Sequence, residues 1–330
     1  MIRSMLLAAD IGGTKSLIGL FNPGRDRPEQ RVVREYATLD FDSLDEIIAT
    51  FIEETGAARI VAGCIGVAGA VSGTRARLTN VPWVADVSPI ALRLGGPVEL
   101  VNDLVAMAYA VPVLEDHELE VLQEGVMVPT GNAALIAAGT GLGEALLHNV
   151  QERFVPSASE GGHADFSART ARELAMMNDL LRFHPRVDCE KVVSGPGLVN
   201  LFRFTHGTQD VRAACRALGP DVDLVDLPAA ISTAALEGRC EQCAEALDMF
   251  VDAYGAEAGN LALRSMATAG VYVGGGIAPK ILPALKAGGF MDAFIDKPPM
   301  ADWMRMVPVA VILNPGAGLL GAAVRAQDLD

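Results

Sequence analysis

Three places in the sequence set glycine directly after an apolar run: Asp10-Ile11-Gly12-Gly13-Thr14, Gly139-Thr140-Gly141-Leu142-Gly143 and Gly274-Gly275-Gly276. Glycine turns of this kind expose backbone N–H groups, and exposed N–H groups gather phosphate oxygens. One such turn is explained as well by a tight hairpin that needs φ > 0. Three of them, with threonine hydroxyls Thr14 and Thr140 beside two, point to phosphate chemistry. The common phosphate fingerprints do not fit. G-x-G-x-x-G fails at Gly139 because position 144 is Glu, and the turn leads into a second strand instead of a helix. Lys15-Ser16 imitates the end of a P-loop, but Thr14 stands where that loop requires glycine. No G-x-S-x-G nucleophile elbow occurs. A proton acceptor is available at Asn102-Asp103, just past the apolar run Val98 to Val101, where open α/β sheets present ligands. The alternative is that this pair only caps the helix that follows. Cys240 and Cys243 form a C-x-x-C pair, yet they share a helical face with Leu247, Val251 and Tyr254, which points to core packing. A zinc site needs two further ligands, and no second pair at suitable spacing occurs.

The elements that must position these residues follow from the apolar pattern. Met5 to Ala9 reads as a buried strand and Ser16 to Phe21 as its hairpin return, with the first glycine turn at the tip. An extended stretch near Arg31 to Ala37 comes next, then a helix from about Ser43 to Thr55 with Leu44, Ile47, Ile48 and Phe51 at helical spacing. Strands Ile60 to Val67 and Val98 to Val101 lead to a helix over Leu104 to Ala110. This alternation implies an α/β sheet. A second set begins near Val126 and repeats the pattern. Ala133 to Ala138 is its strand, Gly139 to Gly143 its turn and Glu144 to His148 its return. A polar loop carries Ser159 to His163, and the acidic run around Glu115, Asp116, Glu118 and Glu120 reads as a solvated loop. Helical stretches follow around Thr170 to Phe183, from about Gly197, and from Pro228 on to Leu263. Strands Gly270 to Val273 and Val307 to Leu313 precede a last helix, Gly318 to Ala326. The chain reads as two related halves, with a boundary near residue 113 that rests on the repeat.

Composition removes several functional classes. The 330 residues carry 26 basic and 41 acidic side chains, a formal charge of −15 that disfavours nucleic acid and anionic lipid as partners. Aromatic residues make up only 5%, which leaves little for base stacking. With 51% hydrophobic and 20% charged residues, the chain is expected to pack a core. The longest run without a charged or strongly polar side chain, Ile60 to Val71, is broken by glycine and falls short of the ~20 residues of a membrane span. Near the N-terminus the apolar stretch Met5 to Ala9 is stopped by Asp10, too early for a signal-peptide core. With five sparse cysteines, an odd number, these features lead us to expect a cytoplasmic protein with reduced thiols.

The three glycine motifs resemble the phosphate and adenosine motifs of the superfold shared by actin, sugar kinases and heat-shock ATPases. Within it, Asn102-Asp103, Glu160-Gly161-Gly162-His163-Ala164-Asp165-Phe166, Ser194-Gly195-Pro196-Gly197-Leu198-Val199-Asn200-Leu201 and Gly274-Gly275-Gly276-Ile277-Ala278-Pro279 resemble the bacterial ATP-dependent glucokinase family, in order and over nearly the whole chain. Lys15 stands where that family usually has asparagine, Ser16-Leu17 follows in place of an early arginine, and Ala70 stands where proline is usual. The cysteine-rich zinc motif and helix-turn-helix of the sister repressor and kinase group are not found. The resemblance implies an α/β protein of two actin-like ATPase (ribonuclease H-like) domains with a central cleft, one of 1–113 plus 314–330 and one of 114–313. It implies ATP-dependent phosphorylation of glucose at the 6-hydroxyl. Asp103 would be the base, and Asn102, Asp103, Glu160, His163 and Glu190 would hold the sugar, since carboxylates that each accept two hydrogen bonds tell one epimer from another. Gly12, Gly13, Thr14, Thr140, Gly141, Gly275 and Gly276 would cradle the nucleotide. Asp10 would stand nearest Mg²⁺, through water, because that ion keeps much of its hydration shell beside phosphates. A homodimer is implied as well. Two other readings stay open: a kinase for another hexose or amino sugar, and a non-catalytic sugar or nucleotide sensor on the same fold.

Overall fold

Apolar residues at successive positions can all be buried only when both faces of their strand are covered, and strand β1 (Met5–Ile11) is built that way. Leu7, Ala9 and Ile11 pack into one apolar layer, whereas Leu6 and Ala8 pack into the opposite one. The structure, a computed structural model, describes residues 4–57, 59–78, 81–210, 215–219, 223 and 225–330. The chain divides into two units, one of Met1–Asp116, Phe154–Ala158 and Asn314–Asp330, the other of His117–Arg153 and Ser159–Leu313.

In the first unit, β1 pairs antiparallel with β2 (Lys15–Asn22), which pairs antiparallel with β3 (Glu29–Ala37). On its other side β1 runs parallel to β4 (Ile60–Val67). Helix α1 (Leu44–Thr55) starts at Ser43, whose hydroxyl accepts the Glu46 N–H, and ends at Gly56 with φ 62°. Its buried face, Leu44, Ile47, Ile48 and Phe51, covers one side of the sheet. Strands β5 (Val71–Ser72), β6 (Arg75–Arg77) and β7 (Val84–Asp86) make a small antiparallel sheet, followed by α2 (Ser88–Leu94). Strand β8 (Val98–Asn102) then joins β4 in parallel, giving the order β3-β2-β1-β4-β8. The other side is covered by α3 (Asp103–Ala110) and the C-terminal helix Ala317–Leu329, through Val105, Ala106, Leu319, Ala322, Ala323 and Ala326.

The second unit repeats this pattern. Strand β10 (Ala133–Ala138) pairs antiparallel with β11 (Leu142–Val150) and parallel with β13 (Gly270–Gly274), which runs parallel to β14 (Val309–Ile312). The order and directions of β11-β10-β13-β14 are those of β2-β1-β4-β8. An added strand, β9 (Leu119–Gln123), pairs antiparallel with β14. Strand β12 (Arg153–Ser159), whose residues Phe154–Ala158 count with the first unit, precedes α4 (Ala171–Leu180) and α5 (Gly195–His206). The core of this unit is built by α5, α6 (Leu227–Leu236) and α7 (Glu241–Ser265), with Phe202, Phe250, Tyr254, Phe290 and Phe294 buried together.

Several expectations are corrected. The acidic run is no solvated loop: Asp116–Glu118 is a 3-10 turn, Glu118 is buried, and Glu120 lies in β9 where Lys286 pairs with it. The second glycine turn is shorter than Gly139–Gly143, because Leu142 and Gly143 already pair with Ala138 and Ala137. The stretch from Pro228 to Leu263 is two helices, parted where Gly238 takes φ 66°. Among the described residues no helix is long and apolar enough to cross a membrane.

Candidate active site

The first unit brings Asp10, the Gly12–Thr14 turn, Asn102 and Asp103 to the carboxyl ends of β1 and β8, beside that of β4. The turn is closed by a 2.9 Å bond from Gly12 N–H to Lys15 O. The Gly12 amide is therefore engaged inside the hairpin. Among the described residues the Gly13 and Thr14 amides have no hydrogen-bond acceptor. Thr38 supports the turn from behind: its N–H donates to Thr14 O at 3.0 Å, and its hydroxyl donates to Gly12 O at 2.9 Å. Buried Ser16 meets the Thr38 hydroxyl at 2.8 Å. Lys15 pairs with Glu35 at 2.8 Å, both largely exposed.

Asn102 caps α3. Its Oδ1 accepts the N–H groups of Leu104 and Val105 at 2.9 and 3.4 Å, and its amide donates to Gly69 O at 3.3 Å. Asp103 Oδ1 also accepts the Leu104 N–H, at 3.0 Å. The helix start can lie this close to β4 because residue 66 is glycine; a Cβ there would stand 2.9 Å from the Ala106 Cβ. Gly318, in the C-terminal helix, allows a similar approach to Asp10, since a Cβ would stand 2.8 Å from its Oδ2. Burial, and then the charge of Asp103, push the Asp10 carboxyl up to about 6. Two carboxylates so placed favour a cation between water and the sheet.

In the second unit the turns after β10 and β13 meet. Gly275, at φ 85°, lies so close to Ala138 that a Cβ would stand 2.4 Å from the Ala138 carbonyl oxygen. The two strand ends share one hydroxyl: fully buried Tyr254 accepts the Ala138 N–H at 3.1 Å and lies 3.3 Å from Gly274 O. Glu190 lies against the Gly139–Gly141 turn. Its Oε2 accepts the Leu142 N–H at 3.0 Å, and a Cβ on Gly141 would collide with that oxygen at 2.5 Å. Ser194 caps α5, accepting the Gly197 N–H at 2.9 Å and donating to Glu190 O at 2.7 Å.

The Glu160–His163 turn seats on the same strand start, because a Cβ on Gly162 would stand 2.0 Å from Leu142 O. Glu160 and His163 are exposed, and His163 Nδ1 lies 3.9 Å from Asp188 Oδ2. Beneath the turn, buried Glu144 fills the space that any side chain on Gly161 would need. Among the described residues its Oε1 has no hydrogen-bond partner, and burial together with the nearby Glu257 pushes its carboxyl up to about 7.

A cavity of about 810 Å³ opens within this unit between Thr140, Glu190, Ser194, Gly276 and the apolar side chains Leu198, Val199, Leu227 and Ile277. The volume suits a small organic ligand. Arg203 lines it, and among the described residues its buried Nε has no hydrogen-bond partner. Sequence reasoning missed Arg203, although Val199 and Asn200, at helical spacing before it, give the signal. Thr38, Glu144 and Tyr254 left no such local sign.

Residues 7–329 match the family model described as Glucokinase. The chain belongs to the glucokinase family. Its relatives include a glucokinase of Nostoc punctiforme, 37% identical over 99% of this chain and 100% of the relative. One from Mesorhizobium japonicum is 35% identical over 99% and 93%. Among solved structures, glucokinase from an Antarctic psychrotroph superposes with a TM-score of 0.86 at 30% identity, covering 98% of this chain and 99% of the other. A ROK family glucokinase from Streptomyces griseus, in complex with glucose and AMPPNP, shares the actin-like fold at a TM-score of 0.65 and 22% identity, over 98% and 100%.

Proposed function

We propose that this glucokinase-family chain transfers the γ-phosphoryl group of ATP to the 6-hydroxyl of glucose, giving glucose 6-phosphate and releasing ADP. The family match over residues 7–329 carries the reading. Asp103 is the general base: its carboxylate takes the hydroxyl proton as the sugar oxygen attacks phosphorus, while positioning and charge stabilisation supply most of the remaining catalysis. Asn102, Glu160, His163 and Glu190 hold the other hydroxyls. The turns at Gly13-Thr14, Thr140-Gly141 and Gly275-Gly276 cradle the phosphates, and Arg203 meets the nucleoside end of ATP in the cavity. Asp10 fits a hydrated Mg²⁺, because a buried carboxylate beside a second one gains most from a divalent cation. When bound, that ion neutralises phosphate charge. Residues 1–113 with 314–330, and 114–313, form its two domains. On the same reading the enzyme works as a homodimer in the cytoplasm at the entry to glycolysis, and its five free cysteines support a reducing compartment.

A coupled assay with ATP and a panel of hexoses and amino sugars tests the reading. Glucose is expected to give the highest kcat/KM. A higher value for another sugar reassigns the substrate, and hexose-independent nucleotide binding without turnover marks a sensor.

A further inference from the structure

Four ligand-type side chains from separate parts of the second unit meet at the far end of α5. His206 is its last residue, Cys215 lies on the connection to α6, Cys240 caps α7 and Cys243 lies in the first turn of α7. One ligand atom from each, the imidazole nitrogen or Sγ, lies within 4.8 Å of all the others. Cys240 Sγ and His206 Nε2 are 3.5 Å apart. Bond lengths of about 2.3 Å to sulfur and 2.0–2.1 Å to nitrogen place neighbouring ligand atoms of a tetrahedral Zn²⁺ about 3.6–3.8 Å apart. The cluster is thus within about an ångström of zinc geometry.

The surroundings match a metal site as well. His206 Nδ1 lies 2.9 Å from the Phe202 carbonyl oxygen, and its ring stacks on Phe202 with centroids 3.8 Å apart. Donating from Nδ1 to that carbonyl leaves the Nε2 lone pair facing the three sulfurs, the usual way a backbone carbonyl orients a histidine ligand. Cys240 and Cys243 stand at the N-terminal end of a 25-residue helix, where the helix dipole favours thiolates. Arg216 and Arg239 border the cluster, with Arg239 paired to Glu237 and Glu241 alongside, so the charges around the site are of both signs.

We propose that His206, Cys215, Cys240 and Cys243 hold one structural Zn²⁺. All four positions are filled by protein, which marks a structural and not a catalytic ion, and a set of three thiolates and one imidazole selects zinc over hard cations. The C-x-x-C pair packs as expected, Cys243 in the core and Cys240 against it, so the ion would sit at the edge of that core. The two missing ligands exist, but at long irregular spacings that only the fold brings together. The metal ties the end of α5 to the start of α7, and α6, which contributes Leu227 and Pro228 to the cavity wall, lies between these two helices in the chain. This inference does not depend on which sugar the enzyme uses.

The test uses the untagged full chain, purified with reductant from zinc-supplemented cells. Metal analysis should find about one zinc per chain after dialysis, and cobalt added to the metal-free chain should give the intense d–d bands and thiolate charge-transfer absorption of a tetrahedral site. Zinc far below one per chain, with no tetrahedral cobalt spectrum, overturns the proposal. Both measurements are made on the unaltered sequence, so a misfolded variant cannot blunt them. As a check on the ligand set, Cys215→Ser and His206→Ala should each lose the cobalt charge-transfer intensity or shift its bands, whereas Cys64→Ser in the first unit should leave both unchanged. Unaltered spectra in both ligand variants refute this set.

Discussion

One oxygen of Asp103 is held by the Leu104 N–H, which fixes the carboxylate at the head of α3 without neutralising it. Asp103→Asn keeps the shape and the cap but cannot take a proton. Its kcat should fall by about 10²–10⁴, with glucose affinity by calorimetry nearly unchanged. A variant that retains more than about a tenth of wild-type kcat removes Asp103 from the base role. Glu144 sets a different residue-scale expectation. Its carboxyl titrates near 7 in the fold against an ordinary 4.5, so between those values the folded chain holds a proton that the unfolded chain has released. Stability should therefore fall as pH rises from 4.5 to 7 and level off above. Glu144→Gln keeps a donor toward Glu257 without the charge, so it should flatten that slope and raise stability at pH 8 by about 2 kcal/mol. Parallel pH profiles of the urea midpoint for the two proteins would show the idea to be wrong.

At the scale of elements, Tyr254 joins two strand ends that are far apart in sequence. Tyr254→Phe leaves the Ala138 N–H and the Gly274 carbonyl without their shared hydroxyl, a loss of about 1–3 kcal/mol if neither finds another partner. Because both turns that follow belong to the proposed nucleotide cradle, KM for ATP should rise more than KM for glucose, and equal changes would separate Tyr254 from that cradle. Local pattern was enough for β4 and β10, whose expected spans Ile60–Val67 and Ala133–Ala138 are those of the strands. It was not enough for β9, an edge strand in which Glu120 breaks the apolar run, or for the break at Gly238, where a helical pattern continues on both sides. The same limit governs the site. Glycine turns announce themselves, but the groups that brace them do not: Thr38 and Tyr254 act on residues 24 and more than 100 positions away, and a contact of that range leaves no periodicity behind.

For the whole molecule, the C-terminal helix belongs to the first unit, although the entire second unit lies between them in the chain. Arg325 pairs with Glu99 at 2.5 Å, and Leu319, Ala322, Ala323 and Ala326 fill one side of the first sheet. Removing residues 314–330 should unfold the first unit and leave the second folded. Limited proteolysis with mass spectrometry would then yield a resistant core within 117–313, and a first unit equally resistant in the truncated chain would contradict this. The Asp10 and Gly318 contact carries the point into the order of events in the cell. Strand β1 is among the first segments to leave the ribosome, yet the helix that seals its second face is made only after some 300 further residues, a delay of about 15–60 s at 5–20 residues per second. During that interval Leu6, Ala8, Ala62 and Cys64 lack the cover that the helix provides, so the nascent chain offers chaperones an apolar surface on its first sheet until translation reaches Gly318.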